Sequence, residues 1–513
     1  MVEKSEDVEK GGKTALYGRY LGAGLMEDDA WFLCRFSKAE DRAIYRKVDC
    51  RVVPMLAMLY LISHLDRANL GNAKIEGLEK DLGMDGNMYN IVVSVFFVPY
   101  ILLEIPSNML LAKFKRPSIY IGTLVTCWGL VVTFSGLTQS FAGLCVSRFL
   151  VGVFEAGFFP AAVWLISMWY PPNRTGGRTS IFYVSSAASG AFSGLLAAGI
   201  AQLHGSAGQE GWRWIFIIEG IVSVLFGIST FFFLPDTPSL TSRWLNEDER
   251  RYLVLMNQAT RGSNAARTAG NDVEEAKRFD WKAIRAMLTD HHIYLQAIVF
   301  SSNAIPNNGM KYTMPQIVRN MGYESTTAQL MSAPPYVCGA IATVLSGIYA
   351  DKRGNRMKPI VFFQVCVLVS MAVLFRYAPN IEDNIALCYT MVIIVCIGVY
   401  PIVPACNTWC LNNLAGAEKR VSGVAFLVTM GNTGGFIGSW VFLNTESPSY
   451  PTGFGTSLSI AGAGIMCAFL LEWLYSRHNK RWEGYTREEV EEQYTPQQLH
   501  DMGDRSPLFK YGL

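Results

Sequence analysis

Twelve apolar runs, each about twenty residues or longer, recur along this chain. Each is long enough to cross the roughly 30 Å hydrocarbon core of a bilayer. They fall at 52–73, 88–112, 118–137, 141–169, 179–203, 213–235, 290–311, 327–350, 359–377, 385–409, 420–443 and 454–475. A backbone in lipid must satisfy its own N–H and C=O groups, so runs of this length read as helices. Gly and Pro inside them (Pro99, Pro106, Pro306, Pro401, Pro404) are ordinary for membrane helices. Gly190 and Gly194 form a small-xxx-small spacing that lets a neighbouring helix approach the fifth run closely. The fold expected is therefore all-α and integral to the membrane, with twelve transmembrane helices in two six-helix halves. A tail at 1–51 precedes a first half at 52–235; a linker at 236–289 leads to a second half at 290–475 and a tail at 476–513.

Composition agrees. Only 17% of the 513 residues are charged, against about 25% in soluble chains. The net charge of +2 gives no reason to expect a nucleic-acid partner. Most of the eleven cysteines lie inside apolar runs, with no CxxC pair and no histidine at metal-ligand spacing. They read as small buried hydrophobes, so no metal or cofactor is expected. The polar first fifty residues lack a cleavable signal, which leaves the first span to target the chain. Gly11-Gly12-Lys13-Thr14 has the look of a P-loop end, but Asp7 stands where the earlier glycine is needed.

Charge in the links orients the spans. Arg42, Arg46, Lys47 and Arg51 precede span one; Lys113, Lys115 and Arg116 follow span two; Arg174 and Arg178 follow span four. Lys352, Arg353, Arg356 and Lys358 follow span eight, Lys419 and Arg420 follow span ten, and Arg477, Lys480 and Arg481 follow span twelve. The intervening links are poorer, and 378–385 and 444–453 hold no Lys or Arg. By the positive-inside rule both termini are cytoplasmic. The sequon Asn173-Arg174-Thr175 then lies on the cytoplasmic side and is expected to stay unglycosylated. In the linker, Asn246 and Glu249 have capping-box spacing, so a short amphipathic helix through Leu253 and Met256 is expected along that surface.

Charges inside the spans are costly, about 2.5–3.5 kcal/mol each on insertion scales, and persist where they face a polar cavity. Span one carries His64, Asp66 and Arg67, and span four carries Arg148 and Glu155. Seven residues separate Arg148 from Glu155, almost two turns, which puts them on one helix face about 10 Å apart. Asp66, Arg67 and Arg148 are expected at similar depth, with Glu155 nearer the midplane. One reading is a coupled site, with two fixed cations for an anionic solute and two carboxylates that take a proton. The other is a structural salt-bridge network; the coupled site is preferred. His64 shares the face of Arg67 and reads as a polar filler or a proton relay. Glu104 and Glu219 read as structural. Lys311 and Arg376 sit at the ends of the apolar runs, where they can snorkel, so the solute contacts of the second half fall to Asn407, Asn432 and aromatic residues such as Tyr336. After span eight, the spacing of Gly347, Asp351, Lys352, Arg353, Gly354 and Arg356 predicts a tight turn whose charges clamp neighbouring helix ends in one of two conformations.

Several of these segments together resemble the anion:cation symporter family of the major facilitator superfamily, and within it the fungal allantoate permease group. The resemblance covers essentially all twelve spans and is carried by Leu65 to Lys74, Glu104-Ile105-Pro106-Ser107-Asn108, and Arg148 to Pro160. Trp212 to Phe216, Glu219-Gly220 and Leu234-Pro235-Asp236 belong to the same pattern. Two departures stand out: Ala112 to Arg116 lacks the Asp and Gly of the general superfamily motif, and His64 replaces a more usual aromatic. The resemblance implies proton-coupled symport of a small organic anion by alternating access, with Asp66 and Glu155 at proton-coupling positions and Arg67 and Arg148 at substrate-linked ones. It also implies a monomer, and the plasma membrane is the expected location. The alternatives are an efflux carrier for an acidic secondary metabolite and a nutrient sensor that binds without transporting. An enzyme is not expected, since the spans hold no nucleophile–base pair.

Overall fold

The computed structural model describes residues 16–18, 20–21, 25–111, 113–240, 244–261, 289–353, 355–414, 417–483 and 485. Beyond these it describes 489–490, 493–495, 498, 502, 504, 506–507 and 509–512. The described chain is almost entirely helical. Spans one to six are Val52–Ile75, Met88–Leu111, Pro117–Ser135, the broken pair Phe141–Glu155 and Phe158–Trp169, Pro172–Ala201, and Gly211–Phe233. Spans seven to twelve are His291–Arg319, Ser325–Arg353, Met357–Tyr377, Ile385–Asn413, Ala417–Val441 and Pro451–Trp482.

Ten helices among the described residues are long and apolar enough to cross a membrane. Span two, Met88–Leu111, has Met88–Glu104 as its continuously described apolar stretch. Span seven falls short for an identifiable reason: it carries Gln296, Asn303, Asn307, Asn308 and Lys311 along its length. A helix this polar is stable in a bundle when its polar side faces the interior, and Gln296, Asn303 and Lys311 are buried. Span seven also outruns its apolar stretch by eight residues, ending at Arg319 rather than 311. Lys311 is therefore not at a span end, and the snorkelling expected of it does not occur.

Close helix contacts join the halves. A Cβ on Gly190 of span five would lie 2.4 Å from the Tyr336 ring of span eight, and one on Gly194 would lie 2.3 Å from the Gln329 carbonyl oxygen. The small-residue spacing thus serves the joint between spans five and eight, as small residues do at membrane helix contacts. Tyr336 fills that joint, 4% exposed, rather than presenting its ring to a solute.

At the end of the bundle away from the termini, polar bonds tie one half to the other. Lys74 Nζ donates to Asn444 Oδ1 (2.6 Å), Asn90 Nδ2 to the Ser439 and Phe442 carbonyls (2.5 and 3.0 Å), and Arg319 Nη1 to the Ile75 carbonyl (2.8 Å). Gln329 donates to Glu76 (3.0 Å) and Asn444 to Glu79 (2.9 Å). Burial holds both carboxyls above the usual carboxylate range, while Arg319 beside Glu76 and Lys74 beside Glu79 pull them partly back.

At the opposite end the helix Glu247–Arg261 begins with its capping contact, Asn246 N–H to Glu249 Oε2 at 3.1 Å. It packs on the helices Glu27–Arg35 and Lys38–Asp49 through Arg251–Asp29 (2.7 Å), Lys47–Glu249 (2.7 Å) and Tyr252–Asp41 (2.8 Å). Leu253 is buried beneath it. Arg174 and Arg178, after span four, pair with Asp41 and Asp49 of the same collar.

Candidate functional site

Span one presents two chemically distinct sides. Tyr60, His64 and Arg67 recur at i, i+4 and i+7, so they share one face. His64 and Arg67 are only partly buried there. The other side carries Asp66, Asn69 and Asn72, all at most 2% exposed. Asp66 Oδ2 accepts from Trp128 Nε1 (3.1 Å) and Ser223 Oγ (2.8 Å), and Asn69 Nδ2 donates to Glu219 Oε2 (2.6 Å). Asn72 donates to Ser193 (2.7 Å). This side stitches span one into spans three, five and six. Glu219 thereby joins the polar core behind Asp66, a closeness that sequence spacing does not reveal.

Glu155 ends the first segment of span four, where the helix breaks before Phe158. Its Oε1 accepts from Ser63 Oγ and from Arg67, whose Nε and Nη2 both lie at 2.8 Å. Glu155 is thus level with Ser63 at the middle of span one, and Arg67 reaches its carboxylate from one turn further along the helix. Its Oε2 is buried without a hydrogen-bond partner among the described residues. Of the two cations expected to face an anion, Arg67 is therefore already matched by a carboxylate. Arg148 is 4% exposed, its Nε and Nη2 are buried without a partner among the described residues, and its guanidinium lies 5.6 Å from the Phe216 ring centroid. It makes no ion pair among the described residues.

His64 is bonded across the halves. Its Nδ1 lies 2.7 Å from Lys311 Nζ of span seven, and its Nε2 is buried and unpartnered. A charged Lys311 can only donate in this contact, since an ammonium has no lone pair. Lys311 is 7% exposed and has no carboxylate within ion-pair distance among the described residues. The second half thus contributes a buried lysine that hydropathy alone assigns to a span end. The side chain lies more than a turn inside the helix, and that is visible only once the helix is seen to continue to Arg319.

Asn407 of span ten donates to Tyr183 Oη of span five (3.0 Å), again joining the halves, with its own Oδ1 buried and unpartnered. Asn432 of span eleven donates to Glu104 Oε2 of span two (3.1 Å). This pair lies nearer the termini, apart from the His64–Lys311 contact. Among the motif residues after span eight, Gly347 is helical and Lys352 is exposed. Span nine starts at Met357, and Asn355 Oδ1 accepts from the Lys358 N–H at 3.1 Å, so the turn is short. Arg356 is its partly buried N-cap; the side chains of Asp351 and Arg353, and Gly354, lie outside the described residues.

A paired Arg67–Glu155, the basic residues Arg148 and Lys311 with no carboxylate at ion-pair distance among the described residues, and two hydrogen-bonded acids in Asp66 and Glu219 sit inside a membrane bundle, near the joint of its halves.

Comparison with known proteins agrees with this architecture. The Major Facilitator Superfamily profile matches residues 56–439. The chain is 33% identical over 488 residues to the MFS-type transporter cnsO of Penicillium expansum, covering 93% of this chain and 92% of the other. It is 26% identical to the high-affinity nicotinic acid transporter of Saccharomyces cerevisiae, covering 92% and 85%. In fold it is similar to the D-xylose-proton symporter (TM-score 0.62, 15% identity, 82% of this chain and 96% of that one). It is also similar to a bacterial homologue of the human lysosomal transporter Spinster in an inward-facing, occupied conformation (TM-score 0.60, 16% identity, 82% and 96%). The chain belongs to the Major Facilitator Superfamily and is an integral membrane transporter of that fold.

Proposed function

We propose that this superfamily member is a proton-coupled carrier of a small organic anion, working by alternating access, with the anion:cation symporters and the fungal allantoate permease group as its nearer kin. The observation that carries the reading is the Glu155–Arg67 pair at the interior face of span one. A proton on Glu155 cancels the charge that holds Arg67, and the guanidinium is then free to take the carboxylate of a solute. Solute and proton leave together, and Glu155 pairs with Arg67 again, so neither of these two charges is left bare in the empty carrier. An anion entering a negative-inside compartment alone would lose about 2.3 kcal/mol per 100 mV. One accompanying proton removes that cost, and each unit of pH difference contributes about 1.4 kcal/mol.

Arg148 and Lys311 strengthen the field for an anion, and Asp66 with Glu219 form a second place for a proton behind the site. The yeast relative named for nicotinic acid supports an organic acid as cargo. With the basic links inside, the bonded end beyond Ile75 is external and the carrier is closed to the outside. The turn at 347–356 would then act on the cytoplasmic side. We place the carrier in the plasma membrane as a monomer, with both termini cytoplasmic.

The test is proton movement in permease-deficient yeast expressing the chain at the surface. Nicotinate, allantoate and other carboxylates are added in turn to weakly buffered acidic medium. Alkalinisation with at least one acid, lost in Arg67→Gln, is expected. Efflux of preloaded acid with no inward proton movement would reverse the direction, and binding with no flux would make the protein a sensor.

A further inference from the structure

We infer that spans seven, ten and twelve form a peptide-docking groove at the end of the bundle that carries the termini, occupied by residues 504–512 of this same chain. The docked segment is a releasable brake that holds the protein in the conformation whose far end is bonded shut. This rests on the alternating-access reading above and is independent of what the solute is.

Two asparagine side chains read the backbone of this segment. Asn479 of span twelve accepts from the Tyr511 N–H through Oδ1 and donates through Nδ2 to the Tyr511 carbonyl, both at 2.9 Å. Asn413, the last residue of span ten, does the same for Gly512 at 2.7 and 3.0 Å. Trp409, one turn earlier, donates its indole N–H to the same Gly512 carbonyl at 3.1 Å. A side-chain amide that pairs with both backbone groups of one residue makes the two bonds a neighbouring strand would make, which is how a groove holds a peptide. The Tyr511 ring, 4% exposed, stacks on Tyr475 of span twelve at 4.5 Å and 11° and lies 5.7 Å from the His292 ring of span seven. The three spans are thereby fastened to one another by a stretch of chain that belongs to none of them.

The fit is that of a docked ligand. A small cavity lies between Asp504 of the segment and His292, Gln296, Cys410, Asn413 and Tyr475 of the spans, where a core would be close-packed. Tethered beyond the end of span twelve, the segment meets its groove at an effective concentration on the order of millimolar, so it stays docked until a competitor or a movement of the groove displaces it. What it restrains is the end of span ten. Pro401 and Pro404 remove the helix bonds to the Ile397 and Tyr400 carbonyls, which leaves 405–413 less firmly joined to the rest of that helix. The same stretch reaches the first half through the Asn407–Tyr183 bond. When the halves rock, 405–413 must shift against spans seven and twelve to stay with span five, and the docked segment opposes that shift. Docking therefore favours the conformation in which it occurs.

The test is maleimide labelling of the purified full-length protein in detergent, with reactive native thiols replaced. Ser439→Cys is the reporter at the far end, where Asn90 donates to the Ser439 carbonyl and ties the halves. Adding Tyr511→Ala should speed labelling at least about fivefold, and a peptide of residues 502–513 at about 1 mM should slow it again. The same peptide with alanine in place of its tyrosine should do nothing. Thermal unfolding is followed alongside; if Tyr511→Ala lowers the transition, Asn479→Ala, which removes two bonds and leaves the ring, takes its place. Labelling that is unchanged or slower in the undocked variant would overturn the brake. Faster labelling that the peptide does not reverse would overturn it too, because the segment would then be a fixed part of the bundle. No solute enters this measurement, so a failure to find any transported acid would sink the carrier reading and leave the labelling result to decide the docked segment by itself.

Discussion

Lys311 Nζ of span seven lies 2.7 Å from Nδ1 of His64 in span one, so the two halves of the bundle meet through a buried lysine and an imidazole. Neither partner brings a negative charge to the contact. A pair of this kind is poor architecture, since a buried ammonium is best compensated by a carboxylate. Its retention makes sense where an anion arrives to complete it.

Lys311→Met is therefore expected to leave stability unchanged or raise it, because an uncompensated buried charge is replaced by an apolar chain of similar length. Transport should fall by at least about tenfold, roughly 1.4 kcal/mol. Thermal unfolding in detergent and initial uptake rates check the two halves of this statement. A variant that loses both stability and transport would make the lysine structural.

The bonded end beyond Ile75 should behave as a gate. Lys74→Cys with Asn444→Cys puts a thiol on each side of this 2.6 Å contact, in a background cleared of reactive native thiols, where a thiol-specific bifunctional reagent of about a lysine side chain's length can bridge them through reducible disulfides. Crosslinking should abolish transport and a reductant should restore it. Full transport in the crosslinked protein would mean that these loops do not part during the cycle.

Acid should favour that gate's closed form. Glu76 and Glu79 have raised pKa values in the closed arrangement, so closure binds protons more tightly than an opened, solvated form. The gain is fully present below the ordinary carboxylate value of 4.5 and is lost as the pH rises through the raised values. Maleimide labelling of Ser439→Cys should accordingly quicken between about pH 4 and about pH 7, beyond the reagent's own pH dependence. In Glu76→Gln with Glu79→Gln that excess should vanish. An excess that survives the double variant would place the titrating group elsewhere.

The glycines of span five make a paired prediction. Gly190→Ala drives a methyl into the Tyr336 ring and Gly194→Ala drives one into a backbone carbonyl. Each should cost about 1–3 kcal/mol as overpacking. Tyr336→Leu should restore much of the first loss, because a ring can be removed. Gln329→Ala should restore none of the second, because the obstructing oxygen belongs to the backbone. Thermal unfolding of the four variants decides it.

How much of this was legible beforehand follows from which forces act locally. The spans, their pairing into halves and the close approach at Gly190 and Gly194 are written in hydropathy and residue size, and a bilayer makes both nearly binding. The capping contact of Asn246 and Glu249 is local and equally readable. Glu155 is different. Helical spacing aligns it with Arg148 on its own helix, yet it bonds Arg67 on another, because a partner across a helix contact comes closer than one two turns away. Lys311 was hidden for a related reason. Hydropathy ends where the lysine begins, although a helix whose polar side is covered by protein continues for eight residues more. The Tyr183–Asn407 and Asn432–Glu104 contacts depend on how two halves meet, and no local pattern encodes that.

The most direct measurement compares accumulation with exchange for Glu155→Gln in proteoliposomes, using the acid that alkalinises the medium in cells. An uncharged amide cannot take up and release the proton that frees Arg67. The variant should therefore fail to accumulate the acid under an imposed pH gradient while still exchanging preloaded labelled acid for unlabelled. Undiminished proton-driven accumulation in Glu155→Gln would contradict the account.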